Sequence, residues 1–290
     1  MTETSLIRRA RRVVFQGEPG SYSNLAAREA LAHCEAVPAP TFEDAFAAIR
    51  EGTADLGVIP IENSLHGRIA DIHHLLPESG LYIVGEHFHR VRHQLMAVKG
   101  AALAGLKSVV SQEPALGQCR KIIRAMKLKP VLWADTAGAA RHVAELKDPS
   151  IAAVASSLAA EIHGLEILKA GVEDASHNVT RFLLMAASPE DAENTGAPVI
   201  TSFVFRVRNV PAALYKAMGG FATNGVNMTK LESYQLDGAF TATQFYADIE
   251  GHPDARGVRL ALEELQFFTS SLKVLGVYPA HPFRQGPKDS

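Results

Sequence analysis

Short apolar runs alternate with helical patterns through the first two thirds of the chain. The apolar runs predict strands at RVVFQG, ADLGVIPIEN, LYIVGEHF, QLMAV, SVVS, PVLWA, IAAVA and NVTRFLLMA. The helical patterns run from Ser23 to His33, after the Thr41–Asp44 capping box, from about Pro114 to Met126, after Thr136 and after Ser156. Strands that alternate with helices form parallel sheets covered by helices. The pattern therefore predicts two small α/β lobes, with a ligand cleft at the carboxyl ends of their strands.

The order of elements changes after residue 198. A strand at VITSFVFRV is followed by a helix whose first residue is Pro211, and Gly225 can end that helix. The strands MTKLESYQ and FTATQFYADIE flank Asp237-Gly238, a hairpin signal, before a helix around Leu262 and a last strand, SLKVLGVY. This βαββαβ order predicts a ferredoxin-like sandwich. One face of its sheet lacks helices, so we expect face-to-face or edge-to-edge pairing with a second chain.

A polar, proline-flanked segment separates the two parts. SPEDAENTGAP, residues 188–198, has no hydrophobic period and predicts a linker. Residues 1–11 hold several arginines but no cleavage pattern, so we expect a flexible leader rather than a targeting peptide. The predicted organisation is leader 1–11, two-lobed α/β domain 12–187, linker 188–198, βαββαβ domain 199–280 and tail 281–290.

Composition excludes several classes of protein. The 290 residues carry 29 basic and 31 acidic side chains, a net charge of −2, so neither nucleic acid nor an anionic membrane is expected as a partner. No stretch approaches the roughly 20 apolar residues of a spanning helix. Cys34 and Cys119 can form at most one bridge and are interpreted as reduced thiols of a cytoplasmic protein.

Several strand ends carry uncharged hydrogen-bonding side chains. The loop GEPGSYSN and the starts of the helices after SVVS and IAAVA can offer backbone and hydroxyl donors to an anion, although plain turns and helix caps explain each one alone. We therefore expect a donor-rich cleft for a ligand with several carboxylates. The candidate substrate-binding residues are Ser21, Ser23, Ser64, Ser156 and Asn178.

Arg181 is the most unusual residue of the predicted strands. It lies on one strand face with Val179, while Asn178, Thr180 and Phe182 share the other. A buried arginine needs an anionic partner, and its guanidinium suits a carboxylate. We expect a substrate carboxylate, with an internal salt bridge to Glu62 or Asp174 as the alternative.

Two other chemistries find little support. The run HFHRVRH, with His87, His89 and His93, resembles metal-ligand material, but it lacks a cysteine partner or a His-Glu-x-x-His helix. We interpret it as a solvated strand end and expect no metal. A nucleophile elbow, Gly-x-Ser-x-Gly, is also missing.

The segments GEPGSYS, IENSLHG, SQEPALGQC and NVTRF, in this order, resemble prephenate dehydratases, and residues 199–280 resemble the amino-acid-binding ACT domain. The resemblance implies a two-lobed fold like that of type II periplasmic binding proteins. It also implies a carbon–oxygen lyase that converts prephenate to phenylpyruvate, losing water and carbon dioxide, in phenylalanine synthesis without a cofactor. The catalytic residues it implies are Thr180, Arg181, Phe182, Asn63, Glu62, Ser111 and Gln118.

The same resemblance implies control by phenylalanine through the ACT-like region, with the chain a homodimer or homotetramer. The effector residues it implies are Pro211, Ala212, Ala213, Leu214, Asn227, Glu232 and Ser233. Tyr234-Gln235 stand where the family commonly has Arg-Pro, which leaves the strength and sign of the phenylalanine effect open. Arogenate dehydratase and a non-catalytic amino-acid sensor are the alternatives.

Overall fold

The computed structural model describes residues 5–208, 210–235 and 242–286. In the first lobe, α2 begins at the cap Ser21 and α3 at the cap Thr41, whose side chain accepts from the Asp44 amide as the capping box predicts. The strands of this lobe are β1 Arg12–Gln16, β2 Glu35–Ala39, β3 Leu56–Asn63, β4 Gly67–Arg68 and β5 Tyr82–Arg90. Its helices are α1 Ser5–Arg9, α2 Tyr22–Ala30, α3 Phe42–Arg50 and α4 Ala70–Leu75.

The second lobe has the same kind of construction. Asp135 and Ser156 cap its two longer helices through their side chains. The strands are β6 Gln94–Ala97, β7 Ser108–Ser111, β8 Lys129–Leu132, β9 Ile151–Ala155 and β10 Glu166–Lys169. The helices are α5 Glu113–Gln118, α6 Arg120–Ala125, α7 Thr136–Leu146 and α8 Ser157–His163. Strand β11, Val179–Ala186, returns to the first lobe.

The two lobes share one strand order. The first sheet is β2-β1-β3-β11-β5 and the second, taken in the same sense, is β8-β7-β9-β6-β10. In each lobe the fourth strand arrives from the other lobe and runs antiparallel to both neighbours. The prediction of wholly parallel sheets is therefore wrong at these strands. The predicted two-lobed fold of the type II binding proteins is confirmed, because the chain crosses twice between the lobes.

The C-terminal domain has the predicted βαββαβ order. Its elements are β12 Val199–Val207, α9 Ala213–Thr223, β13 Met228–Gln235, β14 Ala242–Glu250, α10 Arg256–Phe268 and β15 Thr269–Pro279. The antiparallel sheet has the order β13-β14-β12-β15, and α9 and α10 pack on one face around Phe203, Phe205 and Leu265. Helix α9 begins two residues later than predicted, and Asp237-Gly238 lie outside the described residues.

The other face of this sheet packs on the first lobe. One continuous core contains Tyr234, Tyr246 and Tyr278 of the C-terminal domain together with Ile61 and Leu183 of the first lobe. The catalytic region of the same chain thus covers the face that we expected to pair with a second chain. Face-to-face dimerisation through this sheet is therefore wrong.

The N-terminal segment also differs from the prediction. Residues Ser5–Arg9, within the expected flexible leader, form a helix whose Ile7 is buried. The amides of Ser5 and Leu6 both donate to the carboxylate of Glu190 in the predicted linker. The start of the helix is held because a carboxylate meets its free amides. No helix of the described chain is long and apolar enough to cross a membrane.

Candidate active site

The paired ends of β3 and β11 bring two of the predicted catalytic residues together. Asn63 lies opposite Thr180 in the sheet register, and its Nδ2 donates to the Thr180 hydroxyl at 3.0 Å and to Asn178 Oδ1 at 2.7 Å. The Asn63 Oδ1 accepts the backbone amides of Leu65 and His66, which fixes the direction of the side chain. The Thr180 oxygen is therefore an acceptor, and its own proton is free to be donated to a ligand.

Gln118 extends this network into the second lobe. Its Oε1 accepts from Asn178 Nδ2 at 2.8 Å and from His93 Nε2 at 2.7 Å, and its Nε2 lies 2.6 Å from His66 Nε2. Asn178 and Gln118 belong to different elements on either side of the cleft. The network therefore joins both lobes beside Thr180.

His93 and Tyr22 complete the network, and the sequence interpretation missed both. His93 is buried, with its Nδ1 2.7 Å from the Tyr22 hydroxyl. Because Nε2 faces the Gln118 carbonyl, we assign the proton to Nε2, so Nδ1 accepts from Tyr22. Burial lowers the pKa of His93, so the ring is neutral near pH 7. The signal for His93 was its place directly before the buried strand β6.

A cavity of about 690 Å³ opens beside Tyr22. It lies between the loop after β1, the ends of β2 and β7 and the start of α7, and Ser21 and Ser23 are among its lining residues. Ser21 also caps α2. The charged side chains in its lining are Glu18 and Asp135, so the cavity offers no cation of its own to a substrate carboxylate.

Three predicted serines make contacts within the protein. Ser111 is fully buried and donates to the Val154 carbonyl at 2.6 Å. Ser156 caps α8 and donates across the cleft to the Gly20 carbonyl at 2.6 Å. Ser64 donates to the His177 carbonyl and accepts from the Val179 amide. These hydroxyls hold backbone segments in place, and Ser111 and Ser156 are closed to substrate.

The expectation that Arg181 binds a substrate carboxylate is wrong in this structure. Arg181 leaves β11 on the face opposite Thr180 and is 2% exposed. Its guanidinium donates to Glu86 at 2.8 Å, to Glu62 at 2.9 Å and to Asp248 of the C-terminal domain. Glu62, also predicted to be catalytic, points to this cluster rather than to the cleft. The alternative internal salt bridge is confirmed with Glu62.

Phe182, His87 and His89 make contacts within the first lobe. Phe182 is buried in the core between α1, α2 and the first sheet. His89 is buried too, so the interpretation of the run as a solvated strand end is wrong at this residue. His87 and His89 both hydrogen-bond to Glu29 of α2, and their ligand atoms lie within 4.8 Å of one another. Such a trio could hold a metal, which the sequence interpretation did not consider for Glu29.

The predicted effector residues lie apart within one chain. Pro211–Leu214 precede or begin α9, while Asn227 follows its other end and donates to Glu250. Since α9 has 11 residues, those ends are roughly 16 Å apart. On β13, Glu232 pairs with Lys230 at 3.2 Å, and the Ser233 carbonyl accepts from Arg68 of the first lobe. A compact site in one chain cannot contain all of them.

Two lobes bridged by a hydroxyl and amide network, with a ferredoxin-like domain fused to one of them, define a two-lobed α/β enzyme carrying an additional domain. The family model described as prephenate dehydratase matches residues 13–190. The chain belongs to the prephenate dehydratase family and is an enzyme of that type.

Known proteins similar to this chain agree with that assignment. A bifunctional N-acyl-homoserine lactone acylase/prephenate dehydratase of Komagataeibacter europaeus is 51% identical over 275 residues, covering 95% of this chain and 98% of that protein. Arogenate dehydratase 2 of Petunia hybrida is 40% identical, covering 93% and 72%. The crystal structure of prephenate dehydratase from Arthrobacter aurescens in complex with L-Phe is 28% identical, with a TM-score of 0.84, covering 93% of this chain and 90% of that one.

Proposed function

We propose that this chain converts prephenate to phenylpyruvate in phenylalanine synthesis. The observation that carries the proposal is the Thr180 hydroxyl, oriented by Asn63 at the junction of the two lobes. In the reaction the ring carbon–carboxylate bond and the ring carbon–hydroxyl bond break. The electrons of the first bond complete the aromatic ring, and the hydroxide leaves as water after taking a proton.

Thr180 is the proposed donor to the departing hydroxyl. A threonine is a weak acid alone, but hydrogen bonds oriented before the reaction stabilise charge that develops in the transition state. Asn63 donates to the threonine oxygen, and its second contact, with Asn178, links it to Gln118 of the other lobe. The ring is already poised to become aromatic, so orientation and one donor supply what the reaction needs.

The preference for prephenate over arogenate is part of the proposal, since the relatives carry both names. The two substrates differ in a keto oxygen against an amino group. The test is to incubate purified protein with each substrate, following phenylpyruvate by its absorbance in base and phenylalanine by chromatography. Phenylpyruvate formed from prephenate at the higher kcat/KM supports the proposal; a higher kcat/KM for arogenate makes the enzyme an arogenate dehydratase. A lack of turnover with both substrates contradicts the proposed function.

We also propose phenylalanine as an effector bound at the C-terminal domain, by analogy with the L-Phe complex of the Arthrobacter protein. Tyr234, which stands in the departure from the family motif, is buried in the core shared with the first lobe. Pairing of chains remains a proposal, through a sheet edge or through the helix layer, where Tyr215 and Phe267 are strongly exposed. Two free cysteines are compatible with the proposed cytoplasmic location.

A second activity is suggested by the Komagataeibacter relative, which is 51% identical over nearly the full length of both chains. We propose assaying hydrolysis of an N-acyl-homoserine lactone with the same preparation. Burial raises the pKa of both cysteine thiols, to about 12 at Cys119, so neither is an activated nucleophile for this reaction. Acyl release by wild-type protein, retained when Thr180 is replaced, would establish a separate acylase site.

A further inference from the structure

Two neighbouring residue pairs of β3 and β11 face opposite ways. Asn63 pairs with Thr180 on the cleft side, and the adjacent pair Glu62 and Arg181 faces the C-terminal domain. One peptide unit in each strand separates the two pairs. The position of the Glu62 side chain therefore constrains the backbone that carries Asn63.

Lys230 of the C-terminal domain holds Glu62 from that side. Its Nζ lies 2.6 Å from Glu62 Oε2, and only 8% of its side chain is exposed. Although burial acts in the opposite direction, the charges of Lys230 and Arg181 keep the pKa of Glu62 below its usual value. Glu62 is therefore ionised near pH 7, and the ammonium group that faces it is almost fully buried.

Arg181 is fixed by the same domain. Asp248 is completely buried and accepts from Arg181, while the Tyr278 hydroxyl accepts from the guanidinium at 2.8 Å. Ser202 donates to the second oxygen of Asp248. Such a buried and nearly saturated cluster tolerates few alternative geometries. It leaves the Glu62–Lys230 pair, with its partly exposed carboxylate, as the more adjustable of the two contacts.

We propose that Lys230 is a positioning residue for the reaction, acting through Glu62 on Asn63. Lys230 also contacts Glu232 at 3.2 Å, on the strand that carries the proposed effector segment. A ligand that moves Glu232 away from Lys230, or that brings another charge close to Glu232, changes the electrostatic attraction between Lys230 and Glu62. The inference rests on the proposed function and adds to it the contact by which the C-terminal domain acts on the catalytic pair.

The test compares two lysines that cross the same domain interface. Lys273 donates to the Pro77 carbonyl at 2.8 Å, whereas the described ion pairs of Glu62 are with Arg181 and Lys230. We expect Lys230→Met to lower kcat about tenfold with less than a twofold change in KM, whereas Lys273→Met leaves kcat within twofold of wild type. Lys230→Arg, which keeps the charge, should recover most of kcat. Equal kcat values for the two methionine variants would overturn the proposal.

Phenylalanine titration separates positioning from a general loss of structure. In Lys230→Met we expect calorimetric binding of phenylalanine to persist, while its effect on kcat falls at least threefold relative to Lys273→Met. An unchanged effect would overturn the transmission through Lys230. If Lys230→Met does not fold, Lys230→Gln replaces it in both measurements. If wild-type protein turns over neither substrate, the proposed function fails together with this inference. If wild-type protein is active and the two lysine-to-methionine variants have equal kcat values, only this inference fails.

Discussion

Thr180 and Arg181 are adjacent in the chain, yet their side chains belong to different parts of the molecule. Thr180 accepts from Asn63 at the cleft, and Arg181 donates to Asp248 of the C-terminal domain. This follows from the alternation of side chains along a strand. One dipeptide therefore joins the proposed catalytic hydroxyl to the buried charges that hold the two domains together.

Replacing the threonine tests the catalytic assignment. Thr180→Ala should reduce turnover of prephenate about 100-fold, equivalent to about 2.7 kcal/mol of activation free energy, because one oriented donor is lost. Thr180→Ser keeps the hydroxyl and should retain much of the activity. The measurement is kcat of both variants, with circular dichroism to establish folding. Folded Thr180→Ala with more than a tenth of wild-type turnover would contradict the assignment.

Arg181 should matter for stability rather than for substrate affinity. Arg181→Met leaves the buried Asp248 with only the more distant cation of Arg284, at 3.8 Å, while Glu86 keeps Arg284 at 2.6 Å; we expect a cost of about 3 kcal/mol of unfolding free energy. Urea unfolding of the variant measures the loss. Replacement of Arg259, an exposed arginine paired within α10, should cost less than about 0.5 kcal/mol. A stable Arg181→Met protein with a raised KM would restore the substrate-anchoring role.

Gly20 brings the two lobes into contact. Its φ is +91°, and a Cβ there would lie 2.9 Å from Ala159 Cα of the second lobe. Gly52 also has a positive φ but nothing within 4 Å of the same position. Gly52→Ala should cost about 1 kcal/mol for its conformation alone, and Gly20→Ala at least about 1 kcal/mol more. Thermal unfolding of both variants measures the two losses of stability. Equal losses would mean that the two lobes shift apart at this contact and accommodate the added methyl group.

Glu29 should contribute to stability in acid. Hydrogen bonds from His87 and His89 lower its pKa from 4.5 to about 2. Because the folded-state pKa is depressed, the contribution is complete above about pH 4.5 and disappears as the pH falls through about 2. The side chain is 44% exposed, so screening limits the effect to about 1 kcal/mol. Glu29→Gln should therefore reduce the loss of unfolding free energy between about pH 4.5 and pH 2, as measured by urea unfolding at each pH.

Gly276 lies where the backbones of the C-terminal domain and the first lobe approach closely. A Cβ there would lie 2.0 Å from the Ile83 carbonyl oxygen, so even alanine requires the two sheets to separate. We expect Gly276→Ala to lower the unfolding free energy by about 3 kcal/mol or more. Gly219→Ala, at a helical position with open space around it, serves as the control and should be neutral or slightly stabilising. A Tm for Gly276→Ala equal to that of the control would show that the interface is loose.

Helices and strands with a strongly periodic hydrophobic pattern were predictable from the sequence, and those with a weak pattern were not. The Thr41 cap and the apolar runs located α3 and most strands. Strand β2, Glu35–Ala39, escaped prediction because Pro38 and its half-exposed pattern are those of a sheet edge. Strand direction was also beyond the local pattern, because β6 and β11 acquire their antiparallel neighbours only when the chain crosses between lobes.

The site shows the same division. Thr180, Asn63, Asn178 and Gln118 were identified, and hydrogen bonds link them. The partners of Arg181 were not predictable beyond Glu62, because Asp248 and Tyr278 belong to the C-terminal domain, and no local pattern shows that this domain packs on the Arg181 side of β11. An aspartate at an inward position of FYADIE was the available signal, since a buried carboxylate requires a cation.

Gly276 leaves no space between the C-terminal sheet and the first lobe, and this determines which part of the molecule can move. The first lobe and the C-terminal sheet share a core and interlock at that glycine, so they behave as one body. We expect the second lobe to move relative to that body at the two chain crossings, before β6 and before β11. Such a movement of the second lobe opens the cleft and separates Gln118 from Asn178. A ligand bound to the C-terminal domain therefore acts on the part of the molecule that holds Thr180. The second lobe responds only through the hydrogen-bond network that forms when the cleft closes.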